Sequence, residues 1–273
     1  MHQKTSIETM TLIIKENSDG VMSQADEGLE ALTVGKDQLF AIIHNSREDV
    51  LLAALRNPAL DRQHLLALFK RRELGAVIAA IYAGKRHIET YPVKFALVAH
   101  PDTPPHIAQV LLPLLYIFDL LKLTKIPGVS PDILNAAELK IVQQIPTQPL
   151  GNKLTFARRG TSTILDALLR EGLQNIVEAC LDNPHLKEGS LHRFLMSTHA
   201  TAETVSMVAR NSRWKNRPNI RLAILRNPRT PLIWFTTLLP GLPVATLRDL
   251  LVSPRLTSAQ KELVRQARSH PHP

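Results

Sequence analysis

Apolar residues recur at three- and four-residue spacing along most of this chain, and prolines cut the recurrence into short lengths. The pattern turns helical at Asp37, with Leu39, Ile42 and Ile43 on one face. Asn45-Ser46 breaks it, and the spacing predicts Ser46 as the cap of the next helix, with Asp49 three residues on. That helix stops near Asn57-Pro58, because a residue before proline is pushed out of the α region. Asn tolerates the left-handed conformation common at helix ends, which suits position 57. Arg56 and Arg226 fall in last turns, where a cation complements the helix dipole. Start signals follow the stops: Thr103-Pro104, Ser130-Pro131 and Thr230-Pro231 pair a capping hydroxyl with a proline suited to a first turn. Thr257 and Gln260 have capping-box spacing. Leu74–Ile81 reads as a tight small-residue helix, residues 142–153 as the least regular stretch, and no segment alternates with period two.

The stops are copies of one phrase. Leu52-Ala53-Ala54-Leu55-Arg56-Asn57-Pro58 recurs as Leu222-Ala223-Ile224-Leu225-Arg226-Asn227-Pro228, with weaker copies ending at Pro101, Pro184 and Pro254. Self-similarity on this scale marks a repeat array in which each helix pair buries its apolar face against its neighbours. The expected fold is all-α: a right-handed α-solenoid of stacked short helix pairs. Residues 1–35 read as a weakly ordered polar lead-in, with Asp19-Gly20 as a turn and Met10–Ile14 as a short helix or strand. Residues 36–268 form the array and 269–273 a disordered tail.

The stretch Arg226-Asn227-Pro228-Arg229-Thr230-Pro231-Leu232-Ile233 and its relatives at 56–60, 99–104 and 183–186 resemble the bacterial leucine-rich repeat variant. These are α-solenoid repeats akin to HEAT repeats. The resemblance covers about four-fifths of the chain and implies parallel layers of short helices. It says almost nothing about activity. One member type carries an iron–sulfur cluster, a property that does not transfer because Cys180 is the only cysteine.

Composition narrows the chemistry. A lone cysteine excludes an internal disulfide framework and a cysteine-only metal site, and the apolar setting of Cys180 reads as a buried small hydrophobe. No secretory signal is read at the N-terminus, and Val110–Phe118 is too short to span a bilayer, so a cytoplasmic protein is expected. Charge is uneven: residues 1–50 carry a net −5, residues 51–150 carry +4 and residues 151–273 carry +10. The acidic leader is a candidate to fold back over the basic units.

From Thr204 to Arg248 there is no carboxylate, while Arg210, Arg213, Lys215, Arg217, Arg221 and Arg229 are cationic and Trp214 lies among them. These seven residues are the candidate partner-binding site. Forked guanidinium donors suit carboxylate or phosphate, and an aromatic ring suits base stacking. The competing reading is a solvated face in which arginine stems cover helix edges. Lys70-Arg71-Arg72 and Arg158-Arg159 read as dipole compensation at helix ends. The histidines lack ligand spacing, and His100 stands where other copies carry Asn, which assigns it to a turn. No nucleophile elbow or phosphate loop is present, so no catalytic residue, cofactor or metal is expected. The expected function is a non-enzymatic scaffold that binds a protein with an acidic surface. The alternative is a nucleic-acid-binding helical-repeat protein. A DNA-glycosylase-like form of that alternative would use Asp182 or Asp249 as its acid.

Overall fold

The computed structural model describes residues 24–85 and 87–269. Among them are eighteen α-helices and no strand. The first seven are α1 (Gln24–Thr33), α2 (Lys36–Asn45), α3 (Glu48–Ala54), α4 (Arg62–Leu68), α5 (Gly75–Gly84), α6 (Tyr91–Ala99) and α7 (Pro105–Leu111). Then come α8 (Ile117–Leu123), α9 (Pro131–Gln144), α10 (Leu150–Arg159), α11 (Ser162–Leu169), α12 (Gln174–Leu181) and α13 (Glu188–Met196). The last are α14 (Ala202–Arg210), α15 (Pro218–Arg226), α16 (Leu232–Leu238), α17 (Val244–Val252) and α18 (Ser258–Ser269). The chain divides into two compact units, with boundaries inside α8, in the link between α8 and α9, and inside α9.

In each unit a helix packs on the next but one. The first unit has rows α1–α3–α5 and α2–α4–α6; the second has α10–α12–α14 and α11–α13–α15, followed by α16 against α18. This two-row stacking is solenoid-like. Most of these helices are only seven to ten residues long, too short to persist alone in water. They hold because each buries an apolar stripe, such as Ile164, Leu165 and Leu168 on α11 or Ile220, Ala223 and Ile224 on α15. Each fully buried Leu or Ile contributes about 1.5–3 kcal/mol.

Short helices expose a large fraction of unpaired carbonyls at their C-terminal ends. Here the neighbouring layer supplies the donors. Asn183 follows α12, and its Nδ2 donates to Ala157 O (2.8 Å) and Gly160 O (3.2 Å) at the end of α10. Its Oδ1 accepts the His185 N–H (2.8 Å) and so fixes its own turn. Asn57 repeats this with Ala31 O (2.9 Å), Val34 O (3.0 Å) and the Ala59 N–H (2.7 Å). Asn227 does so with Leu195 O (2.5 Å) and the Arg229 N–H (2.8 Å). His100 reproduces the pattern with a ring: Nε2 lies 2.7 Å from Arg71 O, and Nδ1 accepts the Asp102 N–H at 3.2 Å. All four side chains are buried. Three residues on, each turn buries an anchor: Leu60, Thr103, Leu186 or Thr230.

Several local expectations change for this reason. The asparagines are not left-handed; Asn227 sits at φ −81°, ψ 124°, and its value lies in the side chain's reach to another layer. Thr103 and Thr230 do not cap the helices that follow. Their hydroxyls donate backwards, to Leu97 O and Ile224 O. Ser46 is not an N-cap; Arg47 holds that position and Ser46 ends α2. Arg71 compensates α2 rather than its own helix, donating to Ile43 O (2.6 Å) and Ser46 O (2.8 Å). The Thr257–Gln260 capping box forms, at 2.9 and 3.3 Å, and Gln260 Nε2 reaches across to Thr230 O at 2.9 Å.

The stack also begins earlier than residue 36. Residues 24–33 are helical, and α1 packs on α3 with Ala31 buried. Residues 1–23 of the expected lead-in, including Met10–Ile14 and Asp19-Gly20, lie outside the described residues, as do 270–273 of the expected tail. No helix among the described residues is long and apolar enough to cross a membrane. The 110–118 stretch is broken by a 3-10 turn at Leu112–Leu114. Among the described residues Thr161 Oγ1 is the one buried side-chain polar atom without a partner.

Three expectations follow. Asn183→Ala strands two helix-end carbonyls and one N–H, and should lower stability by about 2–4 kcal/mol in urea unfolding. His100→Asn, which keeps one acceptor and one donor, should cost clearly less than His100→Ala. Gly172 has φ +67°, and an added Cβ would meet His199 O at 2.5 Å. Gly172→Ala should therefore lower the thermal midpoint by several degrees, about 1–3 kcal/mol.

Candidate partner-binding edge of the second unit

Because helices within a row run parallel, alternate links stack along one edge. One such edge carries the links α10–α11, α12–α13, α14–α15 and α16–α17. Side chains tie each to the next. Asn183 joins the first two through its bonds to Ala157 and Gly160. Arg213 joins the second and third, with Nη1 donating to Asn183 O (2.8 Å) and Nη2 to Pro184 O (3.2 Å) and Leu186 O (3.3 Å). Arg221 joins the third and fourth, donating to Leu238 O (2.7 Å) and Pro240 O.

The seven sequence-nominated residues therefore separate. Trp214 is 1% exposed, and its Nε1 donates to Leu181 O at 3.1 Å. Its ring is core, with no face for a partner, and the guanidinium carbons of Arg213 and Arg217 lie 4.5 and 5.3 Å from its centre. Arg213 and Arg221 are committed to backbone carbonyls. Arg229 lies on the opposite edge, bonded to Thr198 O (2.5 Å) and Ala200 O (2.8 Å). Arg210 stands over Trp234, 5.9 Å from the ring centre. Trp234 Nε1 in turn donates to Ser206 Oγ at 2.9 Å. Arg217 pairs with Glu188 at 2.9 Å and remains half exposed. Lys215 is exposed.

The stacking brings other cations beside Lys215 and Arg217. Arg158 and Arg159 end α10, and Lys187 opens α13; all three are exposed. Three successive links thus carry Arg158, Arg159, Lys187, Arg213, Lys215 and Arg217, against Asp182 and Glu188. Like charges along one edge raise a shared positive potential. Residues as distant in the chain as Arg158 and Arg213 belong together only once the repeat phase is known. The signal available in the sequence was their common placement beside Gly160, Asn183 and Asn211, where helices stop.

Cys180 is fully buried, and burial pushes its thiol up to about 12. No group of three metal-ligating side chains occurs among the described residues. Asp182 and Asp249 are exposed, and the indole of Trp214, bonded next to Asp182, is unavailable for stacking. Arg217 first, then Asn219, hydrogen-bonds the Glu188 carboxylate and holds its pKa below the ordinary glutamate range. No family model, curated protein or solved structure matches this chain.

Two measurements check these assignments. Cys180 should not react with a disulfide reagent at pH 8 in the folded protein, and should react fully in urea. Arg217→Gln should raise the Glu188 midpoint in an NMR titration. The sign follows from the depressed value: the pair's contribution is present above the unfolded glutamate pKa of about 4.3 and disappears as pH falls through the folded one.

Proposed function

We propose that the chain is a non-enzymatic interaction scaffold of the leucine-rich repeat variant or HEAT-like kind, working in the cytoplasm. In this reading the α10–α15 edge of its second unit binds an acidic, extended segment of another protein. The observation that carries this is the placement of exposed Arg158, Arg159, Lys187 and Lys215 on three successive links. A regular layer repeat gives a partner regularly spaced contacts, which is how stacked repeats generally recognise extended chains. Layers about 8–10 Å apart match three residues of extended chain at about 3.3 Å each, so the partner carries a carboxylate at every third position. Burial of Trp214 favours carboxylates over nucleic acid, since the indole on these three links is not offered to a base.

The test is fluorescence anisotropy with a labelled peptide bearing glutamate at every third residue. Replacing Arg158, Arg159, Lys187 and Lys215 by Glu spares every structural hydrogen bond described for this edge. It should weaken binding at least tenfold while leaving the circular dichroism spectrum unchanged. Binding by the native protein should also fall as salt rises from about 0.05 to about 0.5 M, following the shrinking Debye length. Unchanged affinity in the variant would refute the assignment of this edge, and stronger capture of single-stranded DNA than of the peptide would replace a protein partner with nucleic acid.

A further inference from the structure

The fourth link on the same edge is different in kind. Between the end of α16, the start of α17 and the end of α18 lies a cavity of about 320 Å³. Phe235, Leu239, Leu247, Leu263 and Ala267 line it, and Arg268 stands on its rim. Val244, at the start of α17, also lines the cavity and is 54% exposed. No carboxylate lines the cavity. Arg221 bonds its own layer directly to the 238–240 backbone beside it. The cavity is therefore the next station after Arg217, one layer along.

An apolar hollow of this size holds one large side chain, and apolar hollows with few polar groups are the usual form of a specific pocket. What fills it has to arrive along a cationic edge and pass a cationic rim. We infer that this cavity takes a bulky apolar anchor, an aromatic or leucine side chain, carried by the acidic segment itself. One layer corresponds to about three extended residues, which puts the anchor three to four residues beyond the partner's last carboxylate. Acidic residues would then supply steering and register, and the anchor the specificity, in the manner of a single buried hot spot beside a charged rim. The inference rests on the acidic-segment reading but makes a separate demand on the partner.

The experiment compares two labelled peptides with glutamate at every third position. One carries phenylalanine three residues after the last glutamate, the other serine. The native protein should bind the phenylalanine peptide about tenfold more tightly or better, as expected for burying one aromatic side chain. The advantage should persist at high salt. Ala267→Trp, which fills the cavity, should abolish that difference and leave the serine peptide's affinity unchanged. Methyl resonances of Leu239, Leu247 and Leu263 should shift with the phenylalanine peptide alone, a readout that needs no variant to fold. Equal affinities, with no methyl shifts, would overturn the anchor while the charged edge stood. Failure of both peptides to bind at low salt would overturn both.

Discussion

The carbonyls left open at the end of each short helix are the constraint to which the rest of this fold answers. A helix of eight residues has half its carbonyls without intrahelical partners. Burying such ends between layers costs more than the packed side chains return unless donors arrive from elsewhere. The donors come from the adjoining layer: Asn57, Asn183, Asn227 and Arg71 reach last-turn carbonyls, while Gln260, the His100 ring, Arg213 and Arg229 reach carbonyls of the links just beyond the helix ends. Each bond does two jobs at once. It satisfies a carbonyl at or just beyond a helix end, and it sets the offset between layers, so hydrophobic stripes meet in register. Apolar burial supplies most of the stabilisation, while these bonds select one stacking among many.

The same constraint explains the cationic character of the second unit. Arginine is well suited to closing helix ends, because a planar fork reaches two carbonyls together. A repeat unit that uses arginine this way accumulates positive charge along its edges without any partner being involved. The cations that matter for recognition are then those left over: Arg158, Arg159, Lys187 and Lys215, which close no helix end of another layer among the described residues. A charge census alone does not separate the two groups. Their hydrogen bonds do.

Much of this is legible in the residues. The Asn-Pro phrase locates helix ends, the Thr257–Gln260 spacing gives a cap that forms, and the absence of alternation agrees with a structure without strands among the described residues. The buried state of Cys180 follows from its apolar neighbours. What cannot be read locally is the other half of each long-range pair. Asn183 and its acceptors lie 23 and 26 residues apart, and nothing near Asn183 names Ala157 or Gly160. Local reading therefore gives the asparagines a backbone role they do not have. It places Thr103 and Thr230 on the wrong helix for a related reason, since a hydroxyl beside proline can turn forward or back. Trp214 reads as available because its neighbours are polar, yet it fills the space between layers.

Native-state hydrogen exchange on Asn227→Ala is the most direct test of the central claim. Asn227 belongs to the α15–α16 link, and its acceptor Leu195 O lies in the last turn of α13, 32 residues away in the chain. If side chains from one layer hold the helix ends of the next, amides around 194–200 and those around 227–231 should lose protection together and by similar factors. Loss confined to residues 227–231, with the end of α13 exchanging as in the native protein, would contradict it.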